Sequence, residues 1–177
     1  MLQAEIAGRL VPSPEGRLAT GDVIRDFQLF SAEGQPVLLS EYRGLSSMVL
    51  VFAGESDSAN NLLCELGLHQ PELAENETLV LAIVVGPQER ASQLRHAFHV
   101  GFEVLADENG RVHHSLGTED QAGHLFPAVF ITDRFGEVFA SYRTGEGESL
   151  PGAAEILSWV DFINRQCPEC GPLEWPA

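Results

Sequence analysis

Two cysteines near the end of the chain carry the clearest chemical signal in the sequence. They form the motif Cys167-Pro168-Glu169-Cys170. Two cysteines separated by two residues either close a small redox disulfide or supply two thiolate ligands to a tetrahedral metal site. Nearby carboxylates oppose thiolate formation at both positions, and we take Cys167 as the attacking thiol and Cys170 as its partner. The motif predicts thiol–disulfide chemistry, with half of a zinc knuckle as the alternative.

The third cysteine, Cys64, has a different setting. It is surrounded by Leu62, Leu63 and Leu66 in a segment with helical periodicity. Unpaired cysteines in apolar surroundings behave mostly as small hydrophobic residues. The sequence therefore predicts that Cys64 packs in the core, and it leaves any chemical role of this thiol open.

Two histidine pairs could in principle add metal ligands. His96 and His99 lie three residues apart on a predicted helix, and His113 and His114 are adjacent. We expect both pairs on the solvated surface. Because structural zinc takes four ligands, a zinc clip in the tail would need a second tail from a dimer or help from histidines. The main interpretation therefore includes no metal and no other cofactor, and the zinc clip stays as an alternative.

Composition narrows the class of protein. The chain has 177 residues, enough for one domain with a sizeable core, and a formal net charge of −16 from 26 acidic and 10 basic residues. Nucleic acids and anionic membranes attract clustered positive charge, so neither is an expected partner. No apolar run has the length of a membrane span, and residues 1–20 lack the pattern of a signal peptide. These features predict a cytoplasmic protein with reduced cysteines.

A repeating strand–helix pattern organises the middle of the chain. Ser47–Phe52 and Thr78–Val85 are continuous apolar runs typical of strands buried on both faces, and a helix from residue 60 to about 75 lies between them. Pro71 predicts an interruption of that helix. The remaining predicted elements are a strand–turn–strand block over 21–39, a helix over 88–99, a strand over 102–106, helical turns over 111–117, strands over 129–131 and 137–142, and a helix over 152–165.

The last two strands form a predicted hairpin around the turn Asp133–Gly136. Pro127 stands directly before the first of them. Proline lacks an N–H, so it suits the start of a strand, and the Phe126–Pro127 bond is a place where a cis peptide is cheap.

Six short pieces resemble, in order and spacing, the peroxiredoxin and thioredoxin-like redoxin superfamily of the alkyl hydroperoxide reductase and thiol-specific antioxidant type. These are Gly21-Asp22 with Asp26-Phe27 and Leu29, Leu39-Ser40 with Tyr42-Arg43-Gly44, Met48–Phe52, Pro71-Glu72-Leu73, Asp107 with Gly110, and the Pro127 hairpin. The resemblance implies an α/β, thioredoxin-like fold with a central mixed sheet flanked by helices, and a cis-proline at position 127. It divides the chain into an N-terminal arm at 1–20, a redoxin domain at 21–165 and a C-terminal Cys-x-x-Cys tail at 166–177.

The sequence departs from that family where its chemistry resides. Redoxins place a cysteine at the start of the helix after the first buried strand, because helix N–H groups stabilise a thiolate. Here the equivalent position falls at 56–58, and residues 54–61 contain no cysteine. Pro127 occupies the place where peroxidase members carry an arginine. The resemblance implies a substrate cleft beside that proline, formed by Asp57, Ser58, Asn60, Phe126 and Pro127, the first three of which are also good helix caps.

Three functions remain open at this stage. The preferred one is a thiol–disulfide oxidoreductase or thiol peroxidase-like redoxin with Cys167 and Cys170 as the redox dithiol, a protein thiol or disulfide as partner, and a homodimer as one assembly in which the tail could serve the other chain. The second is a non-catalytic binding or scaffold protein that kept the fold, with an inert tail. The third gives the tail a structural metal knuckle.

Overall fold

The computed structural model describes residues 17–53, 56–120, 122–146 and 149–166. Within these ranges, seven strands form one sheet and five helices pack on it. The strands are β1 (Gln28–Ser31), β2 (Pro36–Leu38), β3 (Ser47–Phe52), β4 (Thr78–Val85), β5 (Glu103–Asp107), β6 (Ala128–Thr132) and β7 (Val138–Arg143). The helices are α1 (Asp57–Leu68), α2 (Gln70–Glu75), α3 (Gln88–Phe98), α4 (Arg111–Ser115) and α5 (Ala153–Asn164). Short 3-10 turns cover Leu39–Tyr42 and Thr144–Glu146.

The sheet is mixed, with the strand order β2-β1-β5-β4-β3-β6-β7. Strand β4 runs parallel to both β3 and β5, whereas β6 and β7 are antiparallel to their neighbours. At the other edge, β1 pairs antiparallel with β2 and β5. This arrangement confirms the predicted α/β class with a central mixed sheet flanked by helices.

Strand β3 lies inside the sheet, between β4 and β6, and its six residues are apolar or small and all buried. Alternate side chains of β3 point into two hydrophobic cores, one on each face of the sheet. Val49 and Val51 face the core that contains α1, α3 and α5. Met48, Leu50 and Phe52 face the second core, beneath α4 and the segment around Ile24.

The predicted break in the helix after β3 is present. α1 ends at Leu68, His69 lies between the two helices, and Pro71 occupies the first turn of α2, where its missing N–H costs no intrahelical bond. Its ring would clash with the preceding turn in a continuous helix, so the chain divides here into two helices.

The last helix crosses the domain from one end of β3 to the other. At its start, the backbone N–H of Ala153 donates to the Glu65 side chain on α1 at 3.2 Å. At its end, the Asn164 amide donates to the Asn76 carbonyl, just before β4, at 2.9 Å. The chain therefore reaches Gln166 near the amino end of β3, in a small cavity that also contains Ser47.

Candidate functional site

Three chain segments meet at the carboxyl end of β3. Phe52, the last residue of β3, is in register with Ala128, the first residue of β6. The buried Pro127 therefore lies beside Ala53, from which the chain passes towards α1 at Ser56. We call this region, defined by Ala53, Ser56 and Pro127, the helix-start pole.

The proline at this pole has a trans peptide bond, since no bond among the described residues is cis. The cis-proline prediction is therefore wrong. The extended entry into β6 is held by two bonds to the Pro127 carbonyl, from the Thr144 N–H at 3.1 Å and the Thr144 hydroxyl at 3.2 Å. These two hydrogen bonds hold the start of β6 in place with a trans peptide bond, which is also the intrinsically favoured isomer.

The start of α1 presents hydroxyl and carboxylate groups. Ser56 is the capping residue, with extended backbone angles of −139° and 132°, and its hydroxyl lies 2.7 Å from that of Ser58. Asp57 and Ser58 are exposed. The capping residue is therefore Ser56, one residue before Asp57, the first of the three predicted caps. Its side chain makes no capping hydrogen bond to the N–H groups of the helix. An acid in the first turn still complements the helix dipole.

A groove of about 440 Å³ runs between the start of α1 and α3. From α1 it receives Asp57 and Asn60, two of the predicted cleft residues, together with Ser56. The facing wall comes from α3 and consists of Arg90, Gln93, Leu94, Ala97 and Phe98. The sequence interpretation missed this wall, because periodicity identifies an amphipathic helix without identifying the helix beside it.

Phe126 and Pro127 do not line this groove. The Phe126 ring packs over Gly145, where an added Cβ atom would come within 2.4 Å of the ring. The backbone N–H of Phe126 donates to the Thr118 carbonyl at 3.0 Å. Of the five predicted cleft residues, Asp57 and Asn60 line the groove, and Ser58 is exposed on α1 without lining it. Phe126 and Pro127 lie beside β6. The role of all five in binding substrate stays a prediction.

Cys64 is exposed, so its predicted core position is wrong. Leu62, Leu63 and Leu66 face the core as expected. Successive side chains of a helix point about 100° apart. Cys64 therefore lies outside the row of buried leucines, on the same side of α1 as Asn60, which is one turn earlier. A thiol is therefore present on the α1 surface, about two turns beyond the position that redoxins use.

A buried, hydrogen-bonded pair of polar side chains supports the opposite face of β3. His113 and Asp107 are about 1% and 2% exposed, and the His113 Nδ1 atom lies 2.8 Å from a carboxylate oxygen of Asp107. The same oxygen accepts the backbone N–H groups of Val112 and His113, each at 3.0 Å. Burial on its own would raise the pKa of the Asp107 carboxyl, but the hydrogen bonds from His113 and Val112 outweigh it and lower that pKa. The pair fixes α4 against the end of β5.

The ring of His113 also meets the edge of Phe52, with centroids 4.8 Å apart. His113 is therefore core rather than surface, which corrects one of the four histidine predictions. His114 is exposed and contacts Glu119, and His96 and His99 are exposed as predicted. Within the four described ranges, no cluster of three or more His, Cys, Asp or Glu side chains could hold a metal ion.

A buried arginine lies near the helix-start pole. Arg143 ends β7 in register with Ala128, and its guanidinium carbon is 4.9 Å from the centroid of the Phe130 ring. It donates to the Leu18 carbonyl and to the Ser141 hydroxyl. The arginine that polarises peroxide in the family is absent at position 127. Arg143, on the neighbouring strand β7, instead binds the N-terminal segment through the Leu18 carbonyl.

The central mixed sheet, the helix that follows β3 and the proline facing that helix define a redoxin. The model of the AhpC/TSA family matches residues 20–141, and the chain belongs to that family. That family is of the thiol peroxidase or thiol–disulfide oxidoreductase type.

Individual relatives in sequence and in structure support this family assignment. The chain is 31% identical to alkyl hydroperoxide reductase E of Mycobacterium tuberculosis over 151 residues, covering 82% of this chain and 96% of that protein. Among solved structures, peroxidoxin BcpB from M. tuberculosis superposes with a TM-score of 0.71 at 22% identity, covering 83% of this chain and 99% of that one. AhpC from Enterococcus faecalis has a TM-score of 0.70 at 19% identity, covering 90% and 99%.

The remaining predicted site residues, Cys167 and Cys170, lie outside the described residues, as does most of the predicted N-terminal arm. Their assignment as the redox dithiol stays a prediction. No helix in the described ranges has the length and apolar character needed to cross a membrane.

Proposed function

We propose that this protein is a cytoplasmic thiol–disulfide redoxin whose working dithiol is Cys167–Cys170 in place of a cysteine at the helix start. The observation that carries the proposal is the composition of the α1 start. An AhpC/TSA fold surrounds it, yet Ser56, Asp57 and Ser58 supply no thiol there. A redoxin that retains its reaction therefore needs sulfur from elsewhere in the chain, and the tail holds the one vicinal pair among its three cysteines.

The direction of α5 supports a dithiol that acts away from its own helix start. The chain leaves Gln166 near Ser47, at the amino end of β3. The six residues of β3 rise about 3.3 Å each, so the helix-start pole is about 20 Å away. Cys170 follows Gln166 by four residues, which extend at most about 14 Å. The pair would then react with an external partner or with the pole of a second chain.

The proposed reaction is ordinary dithiol exchange. The Cys167 thiolate attacks one sulfur of a partner disulfide, forming a mixed disulfide and releasing the first partner thiol. Cys170, after loss of its proton, attacks the Cys167 sulfur and releases the second. Two electrons pass from the dithiol to the partner, which leaves as two thiols, while the redoxin keeps a Cys167–Cys170 disulfide. With a hydroperoxide as oxidant, the products would be the alcohol and water.

A second candidate, a binding protein without catalysis, is favoured by the groove between α1 and α3. Asp57, Asn60 and Arg90 give that groove a mixed-charge wall while the catalytic sulfur of the family is missing beside it. Such a protein would bind a partner at this surface and leave its thiols unchanged.

Single variants separate these functions. Insulin-disulfide reduction and hydroperoxide consumption should be measured with dithiothreitol and with a thioredoxin system as electron donors. The dithiol proposal predicts activity in the wild type and in Cys64→Ser, with loss in Cys167→Ser and Cys170→Ser. Activity that disappears in Cys64→Ser alone, or is absent from the wild type with every donor, overturns it. Stoichiometric zinc that is lost on Cys170→Ser would assign the tail to the metal knuckle instead.

A further inference from the structure

An aromatic patch lies on α5 and β7, close to where the described chain ends. The Trp159 and Phe162 rings meet edge to face with centroids 5.9 Å apart, and Phe162 contacts Phe139 at 6.3 Å. Phe162 remains 49% exposed. We refer to Phe139, Trp159 and Phe162 as the α5 aromatic patch. Phe139 and Trp159 are partly buried against the core, so Phe162 is the exposed ring of the patch and rests on two aromatic neighbours.

The patch continues into a small cleft at the end of the helix. The cleft has a volume of about 70 Å³ and includes Phe135, Phe139, Ile163 and Gln166. The Gln166 side chain donates to the Phe162 carbonyl at 3.2 Å. The residue from which the tail departs is therefore itself part of the surface, one helical turn from the exposed ring.

The sequence beyond Gln166 has the composition of a segment that binds such a surface. Leu173 and Trp175 are its large apolar residues, and Pro168, Pro172 and Pro176 restrict its backbone. Prolines reduce the conformational entropy lost on binding, and tryptophan supplies a large contact area with few rotatable bonds.

We propose that residues 167–177 dock on the α5 aromatic patch of their own chain through Leu173 and Trp175. Trp175 follows Gln166 by nine residues, an extended reach of about 30 Å, so the tail can double back over the last turns of α5 without strain. Because the tail is tethered at the edge of the patch, its effective concentration is on the order of millimolar. A contact whose dissociation constant lies well below that concentration would then keep the tail on the patch for most of the time.

Charge does not select the occupant. The tail carries Glu169 and Glu174. Arg134 and Arg165 lie near the patch, but each is paired with a carboxylate, Glu77 at 3.6 Å and Asp161 at 2.7 Å. The proposed docking therefore depends on the apolar residues of the tail.

Trp175 reports directly on docking because the chain has two tryptophans. In a Trp159→Phe variant, which keeps an aromatic ring in the patch, Trp175 is the sole indole. We expect its emission to lie at shorter wavelength, and its acrylamide quenching constant to be several-fold lower, than in the same variant unfolded in urea. Adding Phe162→Ala should restore most of the quenching. Phe30→Ala is the matched control, since Phe30 is 53% exposed on β1, and it should leave the quenching unchanged.

A second measurement covers the case in which Trp159→Phe disturbs the patch. The difference between the wild-type and Trp175→Phe spectra isolates the same indole, and it should show the same protection. Carrying out both measurements in a Cys167→Ser, Cys170→Ser background makes docking independent of the redox proposal. Quenching as strong in the folded as in the unfolded chain overturns the inference. Protection that rises with protein concentration also overturns it, because the patch would then join two copies.

Discussion

Removing the Asp107 carboxylate should destabilise the protein more than any single surface change. One oxygen of this buried group accepts three hydrogen bonds, from the backbone N–H groups of Val112 and His113 and from the His113 ring. In Asp107→Ala the three donors stay buried without their acceptor, and each unsatisfied group costs about 1–3 kcal/mol. We expect a loss of about 3–5 kcal/mol, a large part of the stability of a domain this size.

Urea denaturation followed by circular dichroism measures this loss. Glu108→Ala is the matched control, because Glu108 is the exposed neighbour of Asp107, and it should change the free energy of unfolding by less than about 0.5 kcal/mol. Asp107→Asn keeps one acceptor oxygen and should fall between the two. If Asp107→Ala unfolds within about 1 kcal/mol of the Glu108→Ala control, the buried pair does not hold α4 in place as described.

The stabilisation that Asp107 provides has a defined pH dependence. Hydrogen bonding lowers the pKa of Asp107 in the folded state, so its ionised form adds stability above the unfolded pKa of about 3.9. That contribution is lost as the pH falls through the lower folded-state pKa. The difference between wild type and Asp107→Asn should therefore shrink at strongly acid pH. A difference that instead grows on acidification would contradict the assigned direction.

Three further predictions concern other parts of the fold. Burial, and then the nearby Asp133, raise the pKa of Glu137, so ionisation of Glu137 lowers the stability of the folded protein as the pH rises through that pKa. Glu137→Gln should therefore stabilise the protein by less than about 1 kcal/mol at pH 7. It should have no effect below about pH 4, and urea unfolding across pH measures both. Gly145→Ala places a Cβ atom 2.4 Å from the Phe126 ring and should cost about 1–3 kcal/mol through overpacking, again measured by urea unfolding. The exposed Cys64 should react with Ellman's reagent in the native protein as fast as an unhindered thiol, followed spectroscopically in a Cys167→Ser, Cys170→Ser background.

Each of these has its own control. For the Glu137 substitution, an unchanged pH profile would show that the carboxylate is not destabilised by burial. Gly152→Ala serves beside Gly145→Ala, since nothing lies within 4 Å of a Cβ atom built there, and equal stability of the two variants would contradict the ring contact. Labelling of Cys64 that requires denaturant would contradict its exposure, and Cys64→Ser supplies the zero-thiol blank.

The central elements were predictable from local sequence because pattern and environment agree there. Ser47–Phe52 and Thr78–Val85 have the bounds that their apolar runs predict, since a strand buried on both faces needs an uninterrupted apolar segment. Pro71 marked the break between α1 and α2 through its own covalent geometry. In these places the residue types alone determine the outcome.

The failures arise where the answer depends on partners distant in sequence. Cys64 lies among leucines, yet helix rotation relative to the sheet exposes it. His113 looks like a polar surface residue, yet its Nδ1 atom bonds the Asp107 carboxylate and its ring packs against Phe52, so it belongs to the core. Pro127 permits either isomer, and the bonds that Thr144 donates to its carbonyl support the trans form. The groove wall supplied by α3 likewise becomes visible only when two helices are placed side by side.

Disulfide mapping after mild oxidation tests most directly whether the redox sulfur lies in the tail. The native protein would be treated with stoichiometric diamide, alkylated, digested and analysed by mass spectrometry, with a fully reduced sample for comparison. A displaced redox site predicts one intrachain Cys167–Cys170 disulfide that reductant reverses, with Cys64 recovered as an alkylated free thiol. Three alkylated cysteines after oxidation, or a disulfide or sulfenic acid at Cys64 with the tail pair untouched, would contradict it.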